Sequence, residues 1–230
     1  MPAIRLSLLL CVAAITTGGL VSGAEQPVGR RPYEMDWAER TEDARPPLVD
    51  FENLEGWTVD CHDAEATFSR SREQQLWGKY VGKLVYRGTG TNPVLTIKPP
   101  KPIDVSGPFD CVNLWLYGNN WGWSPDRTTP PVRVHALLIS PAGRTVRVPL
   151  GSVRWKEWWL MHARLNSDQS NLLKGGAALT AIEVSGGHNK EDRLLYFDNL
   201  AIYKEALPPL EFEPRPKRGV ESFPGQTTGT

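Results

Sequence analysis

The chain has 230 residues, with 26 Lys plus Arg against 26 Asp plus Glu, so its formal charge is zero. Apolar residues make up 40% and charged residues 23%, a globular composition that excludes a chain disordered throughout, a collagen and a coiled coil. Charge balance also excludes nucleic acid as the main partner, because phosphate binding needs a surplus of Lys and Arg.

The 20 prolines and 21 glycines favour turns over long helices. Nine tryptophans stand against six phenylalanines and six tyrosines. An indole is carried at that frequency where it packs a core or contacts a ligand.

Residues 1–24 read as a secretory signal. Arg5 supplies the positive start, Leu6 to Ile15 the apolar run, and Ser22-Gly23-Ala24 the small residues before cleavage. The run is too short to span a bilayer, and no other apolar stretch approaches the ~20 residues a membrane helix needs. The expected location is therefore secreted, extracellular or periplasmic. Cys11 lies inside the apolar run without a small residue before it, a poor match to a lipoprotein site.

Residues 25–46 are polar, charged and proline-bearing, and read as an N-terminal linker. Residues 207–230 open with Leu-Pro-Pro and end Gly-Gln-Thr-Thr-Gly-Thr, and read as a Pro/Gly/Thr-rich linker or tail. Between them, residues 47–206 suit one domain. A domain followed by such a tail suggests the amino-terminal module of a larger secreted protein.

Strand signals recur through this domain at Leu48–Glu52, Trp57–Cys61, Ala66–Ser69, Lys83–Arg87 and Val94–Lys98. They continue at Val112–Tyr117, Val132–Ile139, Thr145–Val148, Trp158–Leu165, Thr180–Val184 and Leu194–Tyr203. Pro99, Pro100 and Pro102 break one connection, Pro130 and Pro131 another, and Ser140-Pro141-Ala142-Gly143 reads as a hairpin turn. Only Ser167–Lys174 suggests a short helical turn. The pattern predicts an all-β fold, a jelly-roll β-sandwich of two antiparallel sheets.

Alternation gives several strands one apolar face. Val112, Leu114 and Leu116 oppose Trp115 and Tyr117. Val132, Val134, Ala136 and Leu138 oppose Arg133 and His135. Trp159, Met161, Ala163 and Leu165 oppose Trp158, His162 and Arg164, while Ile182 and Val184 oppose Glu183. If these strands share a sheet, its outer face carries Trp115, Tyr117, Arg133, His135, Trp158, His162 and Glu183. Flat rings beside hydrogen-bonding groups suit a sugar, whose C–H face stacks on indole and whose hydroxyls need fixed partners. The alternative is a second small core under a long loop, for which residues 118–131 have the length. That loop carries Trp121 and Trp123, which form either an exposed binding platform or a lid folded over the sheet.

After signal cleavage only Cys61 and Cys111 remain. They either form a disulfide closing a loop of about 50 residues, or stay as two buried thiols.

The order of motifs resembles the galactose-binding-domain-like β-sandwich of carbohydrate-binding modules. The motifs are Val49-Asp50-Phe51-Glu52 before Gly56-Trp57, Gly82-Lys83-Leu84-Val85-Tyr86, and Ile103-Asp104-Val105-Ser106 before Val112–Gly118. They continue with Pro149-Leu150 before Trp155-Lys156-Glu157-Trp158, and close on Leu195-Tyr196-Phe197-Asp198-Asn199-Leu200. The resemblance spans 47 to about 204. It implies a structural calcium held by acids of the first and last strands and by backbone carbonyls. The matching positions are Asp50, Glu52 and Asp198, with Gly82 or Lys83 offering a carbonyl. Such oxygen donors suit a hard cation.

Enzyme motifs are missing from the sequence: it has no Gly-x-Ser-x-Gly elbow, His-Glu-x-x-His helix, phosphate loop or Cys-x-x-Cys pair. Glu191-Asp192 is an adjacent pair whose members point to opposite faces of a strand, and Glu183 is a lone acid where glycoside hydrolysis needs two. The leading expectation is a secreted, non-catalytic module that binds a polysaccharide or glycan. The alternative is a structural or interaction sandwich that packs on a neighbouring domain without sugar affinity. A third reading, a jelly-roll glycoside hydrolase or polysaccharide lyase, rests on Arg133, His135 and Tyr117 meeting in a cleft.

Overall fold

In most strands of this chain every second residue is apolar, so each sheet has one face that water disfavours. Two such sheets bury those faces against each other. The computed structural model describes residues 47–119, 130–189 and 191–205. Its strands are β1 (Thr58–His62), β2 (Ala64–Ser71), β3 (Val81–Gly88), β4 (Val94–Lys98), β5 (Ile103–Val105) and β6 (Cys111–Tyr117). They continue with β7 (Arg133–Ile139), β8 (Thr145–Ser152), β9 (Trp158–Arg164), β10 (Ala177–Ser185) and β11 (Arg193–Tyr203). One short helix, α1 (Ser167–Leu172), precedes β10. Asn166 caps it: its side chain accepts from the Gln169 N–H at 2.9 Å, and the Gln169 side chain accepts from the Asn166 N–H at 3.0 Å.

All pairings are antiparallel. One sheet runs β1-β4-β10-β7-β8, with β5 also on β10; the other runs β2-β3-β11-β6-β9. The fold is the expected β-sandwich. β4 pairs with Ile182–Ser185 and β5 with Ala177–Leu179 of the same strand. They are one strand cut by Pro99, Pro100 and Pro102, none of which has an N–H to donate to a ladder. The β7–β8 hairpin turns at Ser140–Gly143, with Gly143 at φ 75° and its N–H on the Ser140 carbonyl at 2.9 Å.

The core lies between the sheets. Leu84, Leu114, Leu116, Phe197 and Leu200 of one sheet meet Ile97, Val134, Ala136, Leu138, Val148 and Ile182 of the other, all at 0% exposure. Each such aliphatic or aromatic side chain contributes about 1.5–3 kcal/mol by leaving water. At one end Phe51, Trp57, Phe68 and Phe197 stack edge to face or tilted, with centroids 5.9–6.4 Å apart. Gly82 is a glycine because a Cβ there would stand 2.6 Å from Phe68 Cζ and 2.9 Å from Phe51 Cδ1.

Leu48–Glu52 is not a strand. Only Val49 bridges Leu200, and Phe51 sits at φ 56°, which turns the chain out of the sheet and drops its ring into the core. The signal at 1–24, both linkers, and Trp121 and Trp123 lie outside the described residues. Among the described residues no helix is long and apolar enough to cross a membrane.

Candidate functional site

Alternation decides which side chains point outward, but not which sheet carries them. β6 and β9 belong to one sheet, β7 and β10 to the other. The expected single polar and aromatic face is therefore two faces, on opposite sides of the sandwich. Trp115, Tyr117, Trp158 and His162 lie on one. Arg133, His135 and Glu183 lie on the other, pointing away from the first across two sheets that are themselves roughly 10 Å apart. Arg133 and His135 thus do not meet Tyr117, and the lyase-type cluster does not assemble.

On the five-stranded sheet, register places Trp158 opposite Tyr117, Leu160 opposite Trp115 and His162 opposite Asn113. β11 adds Tyr196 opposite Tyr117 and Asp198 opposite Trp115. Much of this face is covered by the β2–β3 connection, residues 72–80. Leu76, at 0% exposure, joins Val81, Trp158 and Tyr196 in a second apolar cluster, with Trp77, Trp115 and Tyr117 packed against it. Trp77 meets Trp115 edge to face at 5.4 Å. Trp158 is left 3% exposed. The expected second core exists; among the described residues its cover is 72–80.

Carboxylates strap this cover down. The Trp77 N–H donates to Asp198 Oδ2 at 3.0 Å, and the Lys79 and Tyr80 N–H groups donate to Glu52 Oε1 at 2.6 and 3.0 Å. Glu73 accepts from Lys83 Nζ at 2.6 and 2.8 Å and from the Tyr196 hydroxyl at 2.6 Å. Those bonds hold the Glu73 carboxyl below its usual range, while burial and the Glu73 contact push the Tyr196 phenol well above its own.

Beside the cover the face stays open. A pocket of about 340 Å³ is lined by Gln74, Tyr117, Gly118, Asn119, Lys156, Asp192, Arg193, Leu194 and Tyr196, within the size range of small-molecule sites. Tyr117 stands edge-on to Tyr196 at 5.7 Å and to Trp158 at 5.9 Å, which fixes its ring. Asn119 donates through Nδ2 to the Tyr86 hydroxyl at 2.6 Å, while its buried Oδ1 has no partner. Burial pushes the Tyr86 phenol up to about 12, so it stays protonated. The half-buried Tyr117 ring beside Lys and Gln donors in one concavity suits the apolar and polar faces of a sugar ring. At the far end of the face, His162 Nδ1 is 2.5 Å from Asn113 Oδ1, and Asn113 donates to the Tyr203 hydroxyl at 2.7 Å.

The opposite face is an ion-paired surface. Arg147 pairs with Glu183, whose Oε1 also lies 3.5 Å from His135 Nδ1. His135 is 7% exposed. Burial first, then the charge of Arg147, push its imidazole down against the opposing pull of Glu183, which keeps it neutral at neutral pH. Arg133 is exposed in register with Ser152 and Ser185. Glu183 is engaged by Arg147, and its partners in register on the flanking strands are Thr96 and His135 rather than a second acid.

The acids matched to calcium do converge. Asp198 is 1% exposed; burial, with the nearby negative charges of Glu52 and Asp50, pushes its carboxyl up to about 8. Asn199, at φ 43°, has a buried Oδ1 without a partner. These hard oxygens fit a calcium ion in part. Glu52 is engaged by the 79–80 backbone, Asp50 accepts from the Glu52 N–H at 3.1 Å, and Gly82 faces the Phe51–Phe68 contact. Among the described residues no three His, Cys, Asp or Glu side chains form a group that could hold a metal.

Cys61 and Cys111 are not joined. Cys61 is exposed on the edge strand β1, and Cys111 is buried on β6 of the other sheet, its thiol donating to the Tyr203 carbonyl at 3.3 Å.

Tyr196, Asn119, Lys156 and Gln74 were not in the expected set. Tyr196 alternates with Leu195 and Phe197 in the sequence, so its outward direction was readable. That it stands beside Tyr117 was not, because the β6–β11 pairing joins residues far apart in the chain.

Compared with solved structures, the chain is similar to a carbohydrate-binding module of the β-sandwich superfamily, described for promiscuous specificity. The TM-score is 0.51 at 12% identity, over 69% of this chain and 62% of that one. The family 11 carbohydrate-binding module of a Clostridium thermocellum cellulosomal cellulase aligns at TM-score 0.46 and 11% identity, over 72% of this chain and 97% of its own. A mannan-recognising module aligns at TM-score 0.45 and 18% identity, over 69% of this chain and 95% of its own. No protein-family model and no curated protein matches the sequence. The fold is the β-sandwich of carbohydrate-binding modules.

Proposed function

We propose that the chain is a secreted, non-catalytic module that binds a polysaccharide through the Tyr117–Tyr196 pocket and serves a larger extracellular protein as an accessory domain. The observation that carries this reading is the pocket itself: the half-buried Tyr117 ring, held edge-on by buried Tyr196, with Lys156 and Gln74 gathered in about 340 Å³ on a sheet face. The fold supports it without choosing the sugar. Affinity electrophoresis through gels containing soluble polysaccharides tests it; at least one glycan should retard the chain, and Tyr117→Ala should release it.

A second reading is favoured by the burial of Trp158 and the half-burial of Trp115 under residues 72–80. These rings stabilise the domain rather than meet a ligand, as in a sandwich that only packs on a neighbouring domain. Absence of retardation on every glycan would support that reading.

Calcium at Asp198, Asn199 and Glu52 is part of the proposal. Its positive charge would offset the burial and like-charge repulsion that raise the Asp198 carboxyl. Chelation should lower the melting temperature, and an unchanged value would remove the ion from the account.

A further inference from the structure

Strand β9 is an edge strand that pairs only with β6. Trp159 stands opposite Leu116, which is 0% exposed, so its register points into the sandwich. Met161, two residues along on the same side, is 3% exposed, yet Trp159 is 55% exposed. The reason lies in the β8–β9 connection. Val153 is buried there and Trp155 packs on the core, so the space a core tryptophan would take is already filled.

Trp155 is a fixed base. Its Nε1–H donates to the Leu116 carbonyl at 3.1 Å. Its ring lies so close to Gly118 that a Cβ there would come within 2.9 Å of Trp155 Cδ1. Trp159 rests on this base with centroids 6.0 Å apart and a tilt of only 35°. The pair therefore presents a supported indole surface to solvent, with little conformational freedom left to lose on binding.

The exposed apolar area decides the kind of occupant. At 55% of the roughly 250 Å² such a side chain can bury, Trp159 offers about 140 Å². Protein interfaces bury ~1,200–2,000 Å² over both partners, so a protein seated here would also have to cover the charged surface around the ring, whereas a sugar need cover only the ring. One pyranose ring matches it, and Arg154 and Lys156, which flank Trp155 in the chain, are exposed and carry donors for hydroxyls. Lys156 also lines the Tyr117–Tyr196 pocket, so the two sites share the 155–159 segment.

We propose that Trp159, supported by Trp155, is a second sugar-stacking site on the edge of the five-stranded sheet, where it takes a further pyranose unit of the same polysaccharide. This rests on the glycan-binding reading of the pocket. The test measures the full chain, Trp159→Ala, Tyr117→Ala and the double variant by affinity electrophoresis across a polysaccharide panel, with a melting curve for each. Trp159→Ala should stay folded and lose only several degrees of melting temperature, because nearly half of the side chain is buried against Trp155, and should weaken binding at least tenfold. The glycan should also protect Trp159 from acrylamide quenching. Binding by the parent that Trp159→Ala leaves unchanged overturns the second site and leaves the pocket standing. Binding lost in Trp159→Ala but kept in Tyr117→Ala removes the pocket and keeps the edge. No binding by the parent overturns both. Self-association that Trp159→Ala abolishes and glycan does not affect overturns the sugar assignment in favour of a contact between copies.

Discussion

Replacing Leu76 with alanine tests whether residues 72–80 are a packed cover or a loosely placed loop. Leu76 is 0% exposed and is the aliphatic centre of the cluster with Val81, Trp158 and Tyr196. Losing the rest of the side chain removes about 2–2.5 kcal/mol of transfer free energy at ~0.8 kcal/mol per methylene. A cavity term adds to this, which is how buried Leu→Ala changes reach about 2.7–5.0 kcal/mol. The cover is a surface segment and can settle into the gap, so the low end, about 3 kcal/mol, is expected. For a domain of this size that is a fall in melting temperature of roughly 6–12 °C. Urea denaturation followed by tryptophan fluorescence should show a lower midpoint with an unchanged slope, since neither end state changes its extent of burial. A fall of less than about 2 °C would refute the reasoning. Residues 72–80 would then not be packed on the sheet, and Trp115 and Trp158 would return as ligand-facing rings.

Glu73→Gln should cost under about 1 kcal/mol at pH 7, since its ion pair with Lys83 is partly exposed. The Glu73 carboxyl sits below its unfolded value, so its contribution is present above about pH 4.3 and lost as pH falls through the folded value. Parent and variant melting curves should therefore converge in acid; a gap that does not narrow as the pH is lowered contradicts the ion pair as the cause. Both Asp198 oxygens accept backbone N–H groups, from Trp77 and Asn199, and an Asn can keep only one of them, so Asp198→Asn should lower the melting temperature by several degrees in chelator and should abolish any rise that calcium gives the parent. A calcium-dependent rise that survives in Asp198→Asn would remove Asp198 from the ion's ligands. Of Cys61 and Cys111, only Cys61 should alkylate before unfolding, slowly because burial and the charges of Asp60 and Glu65 push its thiol up; both should react afterwards. Protection of both in denaturant would restore the disulfide.

Period-two alternation and proline breaks made most of the fold legible. Val94–Lys98 is a strand with those same ends, and ten of the eleven strand signals lie on observed strands, with ends a few residues away. The exception, Leu48–Glu52, failed because Phe51 adopts a left-handed backbone to reach the core, which no local pattern announces. β5 was missed because prolines cut it from β4 and left only three residues. The site was half legible. The outward directions of Trp115, Tyr117, His135 and Glu183 followed from alternation. Their division between two faces did not, because the sheet a strand joins depends on partners distant in the chain. Trp159 shows the same limit: its register is inward, and only the packing of Trp155 at the open edge leaves it exposed.

The most direct test of the account is retardation of the full chain and its Tyr117→Ala variant in gels carrying a broad panel of polysaccharides, with calcium present. The account predicts that at least one glycan slows the parent and that the variant runs freely while melting as a folded domain. A parent that no glycan slows, or a variant slowed as much as the parent, would contradict a sugar site at the Tyr117–Tyr196 pocket.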